Sequence, residues 1–83
     1  MADQRPVNEL ARKLVDYLSS VKFENADAEE ERKLVIDITK RFQKAQKTGF
    51  DVWLELNRLQ GKDIPADIKA EVTNFKEFFH GQF

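Results

Sequence analysis

The sequence predicts an all-α fold in one domain, either a compact four-helix bundle or an orthogonal helical array. Two features carry that expectation. Apolar residues recur at steps of three and four along most of the chain, the period of a single helix face. The three glycines and two prolines fall only where such stretches begin or end, as helix punctuation should. Eighty-three residues suffice for one core. A hydrophobic share of 41% against 35% charged residues is that of a globular chain rather than a disordered one.

The first helix is expected over about 6–22. Val7, Leu10, Ala11, Leu14, Leu18 and Val21 make its stripe. Pro6 suits a first helical position, where a missing N–H is no loss, and Arg12, Asp16 and Ser19 hold the far face. The second helix is expected over about 28–48, with Asp27 and Glu30 spaced as a capping box. Glu29, Glu30 and Glu31 then sit at the positive end of the dipole, and Lys40, Arg41, Lys44 and Lys47 at the negative end. Gly49 stands where a glycine past the C-cap belongs. Leu34, Val35, Ile38, Phe42 and Ala45 are its expected buried stripe.

The third helix, about 50–60, is short and closed by Gly61, with Thr48 and Asp51 at capping spacing. Its apolar residues Phe50, Val52, Trp53, Leu54, Leu56 and Leu59 spread over roughly 200° of the helical wheel. Asp51, Glu55 and Arg58 keep a narrow polar edge. A helix this apolar is either central in the fold or touches something outside it. The fourth helix, about 65–80, follows Pro65 and ends at Gly81. Ile64, Ile68, Val72, Phe75 and Phe79 share one face, Phe78 lies at its margin, and Phe83 follows the glycine.

Composition excludes several classes of chemistry. Without cysteine there is no disulfide framework, thiolate metal site or thiol nucleophile. No apolar run approaches the roughly 18 residues that would span a bilayer, and Met1–Pro6 lack a signal-like apolar region. A cytoplasmic setting is therefore expected. His80 is the only histidine and has no companion at metal-ligand or general-base spacing. H-E-x-x-H, G-x-S-x-G and Gly-rich phosphate loops are all missing from the sequence. No catalytic residue, cofactor, metal or small-molecule substrate is expected.

Two surfaces remain as candidates. Phe50, Trp53, Leu56, Phe78 and Phe83 exceed what a small bundle needs for its core, and aromatic side chains are enriched at the centres of interfaces. They point to a non-catalytic interaction module, an adaptor or stoichiometric regulator binding a partner protein. A homo-oligomeric subunit built on the same surface is the variant of that reading. The second surface is basic. Lys33, Lys40, Lys44 and Lys47 fall within about 60° on the wheel, with Arg32 and Arg41 beside them and the apolar Ile36 on the same face. Such a row suits an acidic protein or nucleic-acid phosphates, although the net charge of −1 is not that of a dedicated nucleic-acid packager. A helix-turn-helix around Ala45 and Gly49 fails on chemistry, because the following helix offers Asp51 and Glu55 where bases call for Arg, Lys, Asn or Gln.

Overall fold

The structure, a computed structural model, describes residues 5–81. Four helices occupy them: α1 (Arg5–Ser20), α2 (Ala26–Gln43), α3 (Gly49–Gln60) and α4 (Ala66–His80), and no strand occurs among the described residues. Each connection is five residues long, short enough to place successive helices side by side. α1 packs on α2, α2 on α3 and α3 on α4. The last pair runs antiparallel in constant register: Gln60 meets Thr73, Asn57 meets Lys76 and Trp53 meets His80. Phe42 and Phe79, at the C-terminal ends of α2 and α4, meet edge to face with ring centroids 5.4 Å apart. The molecule measures 42 × 19 × 19 Å, and its four helices, each packed on the next, make an all-α helical bundle or array.

The core draws on every helix: Ala11, Leu14 and Leu18 from α1, Ala28 and Val35 from α2, Val52, Leu56 and Leu59 from α3, and Val72 and Phe79 from α4. Phe23 and Ile64, in opposite connections, close the same end of the bundle. The described stripe residues of α1 and α4 follow the expected period, and the side chain of Val7 lies outside the described residues. Tyr17 and Phe75 bring those two helices together, ring centroids 6.2 Å apart.

α2 departs from the sequence reading at both ends. Its N-cap is Asn25, whose Oδ1 accepts from the amides of Asp27 at 2.9 Å and Ala28 at 3.1 Å. Asp27 pairs instead with Lys62, at 2.8 Å. The helix stops at Gln43, not near residue 48, because the chain turns left-handed at Ala45, φ 60°. Two hydrogen bonds seal this end, Ala45 N to Phe42 O at 3.0 Å and Gln46 N to Arg41 O at 2.9 Å. They are the paired bonds of a Schellman motif, here with alanine in the place glycine usually takes. Gly49 is not that terminator; it is the buried first residue of α3. α4 begins after Pro65, which serves as N-cap without a side-chain bond.

The buried stripe of α2 is also rotated from the expected one. Glu31 and Thr39 are buried with Ala28 and Val35, whereas Leu34 is 49% exposed and Ala45 faces solvent. Thr39 satisfies its hydroxyl by donating to Val35 O at 2.7 Å. Ile36, expected in water, is half-buried against the core.

Candidate functional site

The aromatic candidates are positioned by the first turn of α3. Thr48 and Asp51 form a reciprocal capping box: Thr48 N donates to Asp51 Oδ2 at 2.8 Å, and Asp51 N donates to Thr48 Oγ1 at 3.3 Å. The bonds from the Thr48 amide and hydroxyl hold the Asp51 carboxyl below its ordinary pKa, so the cap is ionised at neutral pH and favours the helix N-terminus. This fixed turn carries Phe50, 42% exposed, whose ring stacks on Trp53 with centroids 5.9 Å apart and 23° between planes. Trp53 is half-buried and meets His80 of α4 at 5.7 Å. Phe50, Trp53 and His80 therefore form one aromatic edge where α3 and α4 join.

The other aromatic candidates lie elsewhere. Leu56 is fully buried among the core residues; the arc of α3 that holds Val52 and Leu59 also holds Leu56, so its side chain serves the core and offers no surface. Phe78 is 38% exposed and packs edge to face on Phe79 at 6.0 Å. It stands two positions before His80, about 200° around α4, so it sits on the edge of α4 away from α3. Phe83 lies outside the described residues. Leu34, the most exposed of the large apolar side chains among the described residues, was hidden in the sequence inside an apparent buried stripe.

The basic candidates do not form one helical row. Lys33, Lys40 and Arg41 stand exposed on α2, but Lys44 is the C-cap and Lys47 lies in the connection beyond the left-handed turn. Arg41 is paired with Asp37 at 3.2 Å. Arg32 is withdrawn from the surface. Its guanidinium donates to Glu29 and to Leu18 O at 2.7 Å, and Glu29 Oε1 accepts in turn from Phe23 N at 3.3 Å. That bridge ties α2 to the end of α1, with the arginine holding the Glu29 carboxyl well below its usual pKa.

At the opposite end of the bundle a cleft of about 430 Å³ opens between two connections, lined by Lys22, Phe23, Glu24, Asn25, Asp63, Ile64 and Pro65. The side-chain oxygen of Asn25 there is already taken up by the α2 cap. No group of three or more His, Asp or Glu side chains that could hold a metal occurs among the described residues, and no described helix is long and apolar enough to cross a membrane.

A buried carboxyl pair went unread in the sequence. Glu31 of α2, 7% exposed, faces Glu55 of α3, whose side chain is 14% exposed. Burial, then the nearness of the Glu55 carboxyl, as hydrogen-bond partner to the protonated form and as a like charge, push Glu31 up to about 7. The available signal was positional. Glu31 lies three residues after Ala28 and four before Val35, on the apolar face.

Comparison with protein-family models, curated proteins and solved structures finds no match to this chain.

Proposed function

We propose that the chain is a small non-catalytic interaction module that works in the cytoplasm and binds a partner protein through the aromatic edge of α3 and α4. Phe50 carries the reading. It keeps 42% of its surface in water although four helices supply a continuous core without it. Stacked on Trp53 and set on a capped turn, it is a rigid apolar plane, and such planes lose little conformational entropy on binding. Phe78, on the other edge of α4, is a separate and smaller contact.

The test compares the wild-type chain with Phe50→Ser as bait in source-cell lysate, with and without nuclease. A protein recovered in stoichiometric amount by the wild type and lost with Phe50→Ser is the expected result. Circular dichroism and the unfolding midpoint must show that the variant remains folded. Recovery that is indifferent to Phe50→Ser sinks the reading, and recovery abolished by nuclease moves the function to Lys33, Lys40, Arg41, Lys44 and Lys47. Mass that doubles with concentration in light scattering identifies a second copy of the chain as the partner.

A further inference from the structure

Glu31 and Glu55 face each other across the α2–α3 contact, and each leaves its Oε2 buried with no hydrogen-bond partner. Two ionised carboxylates cannot share such a place cheaply, because burial and mutual repulsion both disfavour the second charge. One proton between them removes the repulsion and supplies the missing donor.

The surrounding charges do not cancel the pair. From α3, Arg58 reaches Glu55 Oε1 at 3.1 Å, with most of its own side chain in solvent. From the α3–α4 connection, Lys62 acts on Glu31 but is drawn to Asp27 of α2 at 2.8 Å. α1 lies along the other edge of α2, where Arg32 and Glu29 satisfy each other. On α4, Lys76 is bonded to Asn57 and Gln60, on the edge of α3 away from α2.

We propose that the Glu31–Glu55 pair is a proton-operated clasp: holding one shared proton it fastens α2 to α3 through a carboxyl–carboxylate hydrogen bond, and on losing that proton it loosens the contact by charge repulsion. The proposal does not depend on the interaction reading. Its direction follows from linkage. A carboxyl that titrates higher in the folded chain than in the unfolded one binds extra protons when folded, so its stabilisation is complete below the unfolded value of 4.5 and is lost as pH rises through about 7.

The experiment follows urea unfolding of the full chain from pH 5 to pH 8, for the wild type and for Glu31→Gln, whose amide donates to Glu55 at every pH. The wild-type folding constant should fall on the order of 100-fold across that range. Glu31→Gln should lose most of this slope, since every other titratable group is common to both proteins. Side-chain carbonyl resonances of ¹³C-labelled glutamate provide the second measurement, with one carboxyl of the wild type expected to titrate near 7. Equal slopes in the two proteins, or no glutamate carboxyl titrating above about 6, overturn the clasp. If Glu31→Gln does not fold, the wild-type resonances decide alone.

Discussion

Ala45→Gly should stabilise this protein, although glycine in place of alanine ordinarily weakens a helical chain. Ala45 occupies the left-handed region at φ 60°, where the Cβ of an L-residue meets backbone and costs about 1–2 kcal/mol. Its methyl is exposed, so little packing is lost with it. Against the relief stands the greater freedom of glycine in the unfolded chain, about 0.4–1 kcal/mol. The two differ by about 0–1.6 kcal/mol, and the middle of that range is a net gain of about 0.8 kcal/mol. For a domain of this size that moves the thermal midpoint up by about 3–6 °C and the urea midpoint by about 0.5–1 M, with the denaturant slope unchanged. Ala45→Val, which adds a β-branch at the same φ, should lose at least 1 kcal/mol. The assay separates two structures by sign. Were residue 45 inside a helix continuing to about 48, as the apolar and basic spacing suggests, glycine would cost about 0.5–1 kcal/mol. A lowered midpoint for Ala45→Gly would therefore refute the Schellman ending of α2.

Leu56→Ala should cost about 2–5 kcal/mol, the usual penalty for truncating a fully buried leucine; a loss below 1 kcal/mol in urea unfolding would return Leu56 to the surface. Thr48→Ala removes one side of the capping box and should lower stability by about 1 kcal/mol. The same variant should raise the pKa of Asp51 toward its ordinary value, as read from its carboxyl ¹³C shift, because the hydroxyl bond that helps depress it is gone.

The fold was legible because it rests on periodicity and on local chemistry. Ala11, Leu14 and Leu18 are buried where a step of three and then four places them, and the Thr48–Asp51 box could be read four residues at a time. The end of α2 was not legible for a specific reason. A Schellman turn is written in the sequence by glycine, and here alanine takes the strained position while the nearby glycine serves a different purpose. The cations Lys44 and Lys47 reinforced the error, since basic residues beyond a helix end complement its dipole much as those within its last turn do.

The candidate sites were harder to read, because exposure depends on how neighbouring helices rotate. α2 touches α1 along one edge and α3 along the other, and the centre of its buried face falls between them. That rotation brings Glu31 inward and turns Leu34 to solvent, so an exchange of polarity took place within a single turn of helix. A helical wheel for α2 alone favours the arrangement with leucine inside. The observed rotation sets Glu31 opposite Glu55 on the edge of α3, where two carboxyls can bury together when they hold one proton, whereas either alone would face apolar side chains. The same logic splits the aromatic candidates. Phe50, Trp53 and His80 are drawn together by the α3–α4 register, while Phe78, close in sequence to His80, is carried to the opposite edge. Reading such a site from sequence requires the pairing of helices first and the wheel second.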